Sequence, residues 1–246
     1  MQKITTSQTK GFNLPAITAI TVCIIFALWS GLWFWASALT VRPEAVINQW
    51  EQNLANNTEA LSLEASAEQH ALALKMIDRL KRSIAINPLD ARTNFLLARL
   101  YELLTITQKK PNYILLAELN YKNAIRKQPT WDLAWARVAR VYDKQKKEHL
   151  ALSALTVGLT LGSYEVESER ILIPLIFKYW DSLSDIDLIQ SKKIIQYCLK
   201  IDHGFTAQFK EMIFKNAVNY GHKEKIKPLL WNQKQLEELI NIEISN

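Results

Sequence analysis

The chain has 246 residues, of which 49% are hydrophobic and 22% are charged, and its formal net charge at pH 7 is +6. This composition is typical of a chain that buries a core, and the six glycines and seven prolines are few enough to favour helices over strands. The two cysteines lie far apart and the four histidines are scattered singly, which excludes a disulfide framework and gives no zinc-binding spacing.

The first predicted element is a membrane-anchoring helix over residues 14–40, which follows a cytoplasmic segment of residues 1–13. No charged residue occurs from Gly11 to Val41, and a helix of about 20 apolar residues is long enough to span the hydrocarbon core of a bilayer. Tryptophans cluster toward its C-terminal end, where indole rings favour the headgroup interface: Trp29, Trp33 and Trp35. We therefore expect a single-pass anchor.

The charges that flank the span predict its orientation. Lys3 and Lys10 precede it, whereas Arg42 is followed by two glutamates. Because positively charged flanks stay in the cytoplasm, we expect a protein of the bacterial inner membrane with its C-terminal domain in the periplasm. A signal peptide cleaved after Ala38 is the alternative, but the apolar stretch is about twice the usual length for one, which favours an uncleaved anchor.

The next segment, residues 41–66, is predicted to be a linker with one short helix from Pro43 to Leu54. From residue 67 to residue 246, apolar residues recur at the helical period. The pattern breaks at Asn87-Pro88, Lys109 to Asn112, Gln128-Pro129, Lys144 to Lys147, Leu161 to Tyr164, Ser182 to Asp185, Asp202 to Gly204 and Gly221. Helices of this length with short connections predict an all-α fold, in which one transmembrane helix is followed by antiparallel helix hairpins.

Two stretches of the helical domain match the tetratricopeptide (TPR) repeat, which is about 34 residues long and forms two antiparallel helices, A and B. The better match follows Pro129 and has the expected large, small and tyrosine positions: Trp135, Val138, Ala139, Tyr142, Ala151, Leu155 and Gly158. The preceding unit follows Pro88 and has matching residues at Leu97, Ala98, Tyr101, Ala117, Tyr121 and Ala124. We therefore expect a TPR-like α-solenoid over residues 67–246, in which these residues pack the helices together.

The sequence gives no catalytic, cofactor-binding or metal-binding signature. It has no HExxH motif, no GxxxxGK[ST] loop and no GxSxG motif. Paired carboxylates such as Asp185 and Asp187 fall at a predicted helix start, where capping is their ordinary role. We therefore predict that the protein is not an enzyme and that it binds no cofactor or metal.

Four charged residues are the candidate binding residues of a concave groove, which helix A lines in this class of repeat. Arg99 and Arg140 lie two residues before the repeat tyrosines, and Glu102 and Asp143 follow them by three residues. Each arginine can form an exposed i,i+3 ion pair that contributes little to stability, or it can offer its guanidinium group to the carboxylate of a ligand. The sequence leaves both interpretations open.

A second candidate surface is a basic edge, formed by lysines in the turns between helices A and B: Lys109, Lys110, Lys144, Lys146 and Lys147. Such turns lie along one edge of a solenoid, so these lysines are expected to be neighbours. A basic edge suits anionic headgroups or an anionic polymer. Nucleic acid is not an expected partner, because the domain is predicted to lie outside the cytoplasm.

The stretch AIRKQPTWDLAWARVARVYDKQKKEHLALSAL (Ala124 to Leu155), followed by LTLGSYE (Leu159 to Glu165), resembles the VpsP-type proteins of bacterial exopolysaccharide loci. The similar features are an alanine-rich helix, an R-x-x-P-T-W run and a helix that ends in L-G-x-x-E. The resemblance implies one N-terminal span, a helical domain similar to TPR repeats and a role beside the machinery of polysaccharide polymerisation or export. It implies no catalytic residue.

Two functions of different kinds therefore fit the sequence. The first is a membrane-anchored periplasmic scaffold that is accessory to the synthesis or export of an envelope exopolysaccharide. The second is an accessory subunit of another inner-membrane complex, such as a translocon, a secretion system or a respiratory assembly. The expected partners are other inner-membrane or periplasmic proteins, the membrane itself and an anionic polysaccharide.

Overall fold

A computed structural model describes residues 14–56, 67–107, 112–162, 165–200 and 206–245. Within these residues the protein is all helical and has no strand. In chain order the helices are α1 (Leu14–Asn56), α2 (Ala67–Ile86), α3 (Ala91–Thr107), α4 (Asn112–Lys127), α5 (Asp132–Lys144), α6 (Glu148–Leu161), α7 (Val166–Lys178), α8 (Asp185–Lys200), α9 (Thr206–Asn219), α10 (Lys223–Ile226) and α11 (Gln233–Ser245). The predicted all-α fold class is thus confirmed.

The N-terminal helix α1 is continuous over 43 residues, which corrects the predicted break at residue 41. Pro43 lies inside this helix, although a proline removes one helical hydrogen bond and commonly ends or kinks a helix. Buried side chains on both sides of it, Thr40 and Ile47, hold the helix against the domain. The short helix predicted from Pro43 is therefore the second half of α1, and the rest of the predicted linker, residues 57–66, lies outside the described residues.

The two halves of α1 have different surroundings. Every described side chain from Ile17 to Trp35 is exposed, and the helix is long and apolar enough to cross a membrane. From Ala36 onward, one face of the helix is buried against α2 and α3. A single element therefore joins the apolar segment to the folded domain without an intervening loop.

Ion pairs show that α1 and α3 run side by side in the same direction. Arg92 pairs with Glu44, and Arg99 pairs with Glu51, so a step of seven residues along α3 matches a step of seven residues along α1. Seven residues are two helical turns, and both pairs therefore lie on one face of each helix. As α3 proceeds, it moves away from the apolar half of α1.

Helices α5 and α7 form the next parallel pair. Ser168, near the start of α7, donates a 3.0 Å hydrogen bond to Asp132 at the start of α5. At the other end, Asp143 of α5 pairs with Lys178 of α7. The odd-numbered helices α3, α5 and α7 thus carry the chain away from the apolar half of α1, and the intervening helices α4 and α6 return it.

Small residues lie where neighbouring helices approach closely. Ala139 of α5 and Ala151 of α6 are fully buried, as are the small residues of the preceding hairpin: Ala98, Ala117 and Ala124. A Cβ atom on Gly158 would lie 3.3 Å from Leu172 of α7 and 3.9 Å from Ala136 of α5, so the absence of a side chain lets α6 pack on both helices. These positions are buried, as expected for small residues between packed helices.

The predicted breaks coincide with helix ends wherever the structure describes them. A turn follows α2 at Asn87, another follows α4 at Gln128, and residues 145–147 separate α5 from α6. Lys146 in that turn adopts a positive φ of 59°, and Gly221, after α9, has a φ of 72°. The breaks predicted around residues 109–111, 163–164 and 202–204 lie outside the described residues.

Candidate functional site

The inner face formed by α1, α3 and α5 carries a carboxylate held by two arginines. Glu51 of α1 accepts a 3.2 Å hydrogen bond from Nε of Arg99, which comes from α3. Arg137 of α5 donates to both oxygens of the same carboxylate, at 2.8 and 3.2 Å. We call these three residues, Glu51, Arg99 and Arg137, the Glu51 clasp. It joins the N-terminal helix α1 to two helices of the domain.

The Glu51 clasp is largely shielded from water. The side chains of Arg99 and Arg137 are 6% and 5% exposed, and that of Glu51 is 22% exposed. Burial by itself would raise the pKa of Glu51, but attraction to Arg137 and hydrogen bonds from both arginines outweigh it and lower the pKa to about 2. Glu51 is therefore ionised throughout the physiological range.

A second buried carboxylate, Glu102 of α3, lies next to the clasp. Its side chain is 3% exposed and accepts hydrogen bonds from Arg140 at 2.9 Å and Lys144 at 2.9 Å, both from α5. The hydroxyl group of Tyr121 donates to it at 3.0 Å. Burial opposes ionisation, but attraction to Arg140 and Lys144 outweighs it, so the pKa of Glu102 is well below its usual range.

Helix α7 completes the cluster with Glu167. Its carboxylate accepts a 2.8 Å hydrogen bond from Arg137 and lies 3.5 Å from Arg99. The guanidinium group of Arg137 thus bridges α5 to both α1 and α7. Four helices therefore meet in one network of charges.

A pocket of about 290 Å³ opens beside this network. Four cationic and three acidic residues line it: Arg137, Arg140, Lys144, Arg170, Glu51, Glu102 and Glu167. Apolar side chains, including Leu54 and Ile171, form the rest of its wall. Because the cations outnumber the acids, the pocket is suited to an anionic group such as a carboxylate.

The structure brings three of the four predicted groove residues together, but in pairs that differ from the predicted ones. Arg99 binds Glu51 and Arg140 binds Glu102, so the ion pairs join different helices instead of residues three apart in one helix. Asp143 lies away from this network, where it accepts hydrogen bonds from Lys178 and Tyr179. The predicted exposed pairs are therefore wrong: Arg99 and Glu102 are buried, because neighbouring helices cover this face.

Two of the three described lysines of the predicted basic edge form ion pairs. Lys144 is bound to Glu102, and Lys147 forms a 2.8 Å ion pair with Glu118 of α4. Lys146 is exposed in the turn between α5 and α6. Lys109 and Lys110 lie outside the described residues. This edge is at the end of α5 remote from the apolar half of α1, so its described lysines do not lie beside the tryptophans of that half.

Sequence reasoning missed Glu51, Arg137, Glu167 and Arg170. Arg137 has no counterpart at the matching position of the preceding repeat, where Leu96 stands, so the repeat comparison did not select it. A usable signal existed for Glu51: Glu44 and Glu51 share the seven-residue spacing of Arg92 and Arg99. That spacing is typical of two charged faces that pair along parallel helices.

The described side chains of this network contact one another through ion pairs and hydrogen bonds. In the part of the chain that the structure describes, no group of three or more His, Cys, Asp or Glu side chains is placed to hold a metal ion. Comparison with known proteins adds no assignment, since no protein-family model and no curated protein matches the chain.

Proposed function

We propose that the protein is a membrane-anchored periplasmic scaffold whose helical domain binds other envelope components. The observation that carries this proposal is the Glu51 clasp, which locks the continuation of the apolar helix α1 onto α3 and α5. A scaffold must hold its binding face in a fixed relation to the membrane. A continuous helix clamped by buried ion pairs meets that need, whereas a flexible linker does not.

Within this proposal the domain is a TPR-like solenoid. The hairpins α3–α4 and α5–α6, the small residues at their crossings and the common direction of α3, α5 and α7 support this class. The face formed by the odd-numbered helices corresponds to the concave groove of such repeats. The second half of α1 lies along this face and leaves open the pocket beside Glu51.

The pocket is proposed to receive an acidic group of the partner. Arg140 and Lys144 have partly exposed side chains at 32% and 38%, and Arg170 is exposed at the same opening. An acidic peptide and an anionic polysaccharide both carry the carboxylates that such cations bind. Together with the resemblance of residues 124–165 to VpsP-type proteins, this supports a role accessory to exopolysaccharide synthesis or export.

Capture of partners by the tagged full-length protein tests this function. After cross-linking in intact cells, a polysaccharide polymerase, glycosyltransferases or export components should be recovered. Changing Arg170, which is exposed at the opening of the pocket, to glutamine should reduce that recovery several-fold, whereas Lys192→Gln, on an exposed part of α8, should not. Recovery of a translocon, secretion or respiratory complex instead would reject the polysaccharide role and favour the second kind of accessory subunit.

The anchor and its orientation have a separate test. A reporter that is active only in the periplasm, fused after Asn246, should be active, and the protein should remain in the membrane fraction after an alkaline wash. Release of a shorter soluble protein would instead support cleavage after Ala38.

A further inference from the structure

The turn between α2 and α3 presents an apolar surface at one end of the domain. The seven residues from Ser83 to Leu89 carry no charge, and Leu89 is 75% exposed. Ala85 and Pro88 beside it are also exposed. A single exposed leucine needs no explanation by itself, so the significance of this turn depends on where the fold places it.

Hydrogen bonds fix the level of the turn relative to α1. The hydroxyl group of Ser83 donates to the backbone carbonyl of Ala36 at 2.9 Å, and it lies 3.2 Å from the hydroxyl group of Thr93. Helices α1, α2 and α3 therefore meet at the level of Ala36. The residues that connect Ser83 to Thr93, including Leu89, therefore all lie on one side of this level.

The projection is toward the apolar half of α1. Because α3 runs parallel to α1, it leaves the level of Ala36 in the direction of Glu51, and the turn that precedes it lies on the opposite side. Three further residues of α2 after Ser83 advance the chain by ~5 Å along the helix axis. The turn thus lies on the side of the domain from which the exposed, Trp-containing part of α1 emerges.

The level of Ala36 corresponds to the expected surface of the bilayer. About 20 residues of helix cross the hydrocarbon core, so a span that starts near Pro15 ends near Trp35. Trp33 and Trp35 are exposed and suit the headgroup region. The turn therefore lies beside the point where α1 leaves the membrane.

Basic side chains surround the turn at this end of the domain. Lys127, the last residue of α4, has its ammonium group 3.5 Å from the backbone carbonyl of Asp90, so the end of α4 lies against the same turn. Arg126 beside it is exposed, and the side chain of Arg92 is 63% exposed while it pairs with Glu44. Cations around an apolar tip match the phosphates that surround the hydrocarbon region of a lipid surface.

We propose that the α2–α3 turn, residues 84–89, inserts Leu89 into the interfacial region of the same bilayer that α1 spans. The inference rests on the proposed anchor. Its consequence is a second membrane contact, which fixes the tilt and rotation of the domain. The binding face beside Glu51 is then held at a constant angle to the bilayer as well as at a constant distance from it.

Site-specific fluorescent labelling of the full-length protein in liposomes tests this contact. Three single-cysteine proteins carry an NBD label: one retains the native Cys23 in the span, one carries Leu89→Cys, and one carries Ile186→Cys. Cys198 is changed to Ala in all three, and Cys23 to Ser in the last two. Ile186, at the start of α8, is a matched control because it is 70% exposed and because α8 follows the end of α7 at which Lys178 pairs with Asp143, away from the apolar half of α1.

We expect lipids with a shallow doxyl quencher to quench the label at residue 89 several-fold more strongly than the label at residue 186, with a blue-shifted emission. Equal quenching at residues 89 and 186, while Cys23 is quenched, would overturn the turn contact and leave the anchor intact. A Cys23 label that is quenched neither by a shallow nor by a deep doxyl quencher would overturn the anchor and the proposed function with it. A blue shift at residue 89 without lipid quenching would mean that protein covers the turn, which also rejects the contact. If Leu89→Cys lowers the melting temperature, Ala85→Cys provides the same measurement.

Discussion

Among single residues, Glu51 of α1 joins three helices through its ion pairs with Arg99 of α3 and Arg137 of α5. It is a carboxylate between two buried arginines, so its removal would leave two charges without their main partner. Breaking a buried pair from one side is strongly destabilising, because the remaining charge is neither paired nor hydrated. The carboxylate of Glu51 in α1 therefore stabilises the fold, because it pairs with the buried guanidinium groups of Arg99 in α3 and Arg137 in α5.

Replacing Glu51 with glutamine should lower the free energy of unfolding at pH 7 by about 3 kcal/mol, as expected for the loss of one partner of a buried pair. The pKa of Glu51 is lowered to about 2 in the folded protein, against about 4.3 in an unfolded chain. A lowered folded pKa means that the stabilisation is present above about pH 4 and is lost as the pH falls toward 2. Urea unfolding of the full chain in detergent, at pH 7 and at pH 3, measures both effects.

The exposed Glu148→Gln is the control for this prediction, and it should leave both measurements unchanged. If Glu51→Gln unfolds at the same urea concentration as the wild type, the clasp does not stabilise the fold. The difference between the two proteins should shrink on acidification, since the wild type loses this contribution as Glu51 becomes protonated.

Glu169 of α7 is the opposite case, because no cation among the described residues forms an ion pair with its buried carboxyl group. It is 3% exposed, and one of its oxygens has no hydrogen-bond partner. Burial raises the pKa of Glu169, only partly offset by its hydrogen bond with the thiol of Cys198. A raised folded pKa means that stability is complete at low pH and decreases as the pH rises through that pKa.

Changing Glu169 to methionine, which is similar in size and cannot ionise, should therefore stabilise the protein by ~1 kcal/mol at neutral or higher pH. It should also remove the part of the pH dependence that Glu169 causes. Thermal melts between pH 5 and pH 9 measure both, with Glu148→Gln again as the reference. A variant that is less stable than the wild type at pH 9 would show that the ionised carboxylate has a favourable role in the core.

Among the secondary-structure elements, the positions of the later helices could be predicted from the sequence, but the full length of α1 could not. The turns after α2 and α4 coincide with Asn87-Pro88 and Gln128-Pro129, because proline opposes helix locally, and the turn after α5 coincides with a lysine-rich interruption of the apolar pattern. Pro43 and the first charges after the span gave the same local signal, yet the helix continues. Packing of its second half on α2 and α3 overrides the local preference, and such contacts between distant segments are not visible in one sequence.

The difference between local signals and contacts between distant segments also explains which residues of the site could be predicted from the sequence. Arg99, Glu102 and Arg140 could be selected because the repeat places them on one face. Their partners were not selected. Glu51 belongs to a segment that appeared to be a linker, so its seven-residue spacing from Glu44 was not compared with that of Arg92 and Arg99, and Glu167 lies beyond the two matching repeats. The helical periodicity of a sequence predicts which residues share one face of a helix. Ion pairs between helices depend in addition on which faces pack against each other.

The crossing of α5 and α6 gives a prediction at the scale of elements. Ala139 is fully buried in α5, and a leucine there has no space, so overpacking should cost ~1–3 kcal/mol. Ser153→Leu on the exposed face of α6 is the matched control, with no such cost expected. Thermal unfolding followed by circular dichroism distinguishes them. Equal melting temperatures for the two variants would contradict the assignment of Ala139 to the helix crossing.

At the scale of the whole molecule, the folded unit and the membrane segment overlap in one helix. The sequence predicted a separate domain over residues 67–246, but the structure places residues 36–54 of α1 against α2 and α3. A fragment that starts at residue 67 therefore lacks part of its own core, including Ile47, and lacks the Glu51 partner of two buried arginines. A fragment that starts at residue 41 retains both.

We therefore expect the 41–246 fragment to be monomeric and to unfold cooperatively, and the 67–246 fragment to melt at least ~10 °C lower or to aggregate. A loss of several kcal/mol corresponds to a shift of this size, at about 2–4 °C per kcal/mol for a domain of this length. Size-exclusion chromatography and thermal melts provide the comparison. Because part of the loss comes from unpaired charge, changing both Arg99 and Arg137 to methionine should raise the melting temperature of the shorter fragment and lower that of the longer one. If both fragments melt at the same temperature, α1 is not part of the domain, and the rigid connection between membrane and binding face that the proposed scaffold needs does not exist.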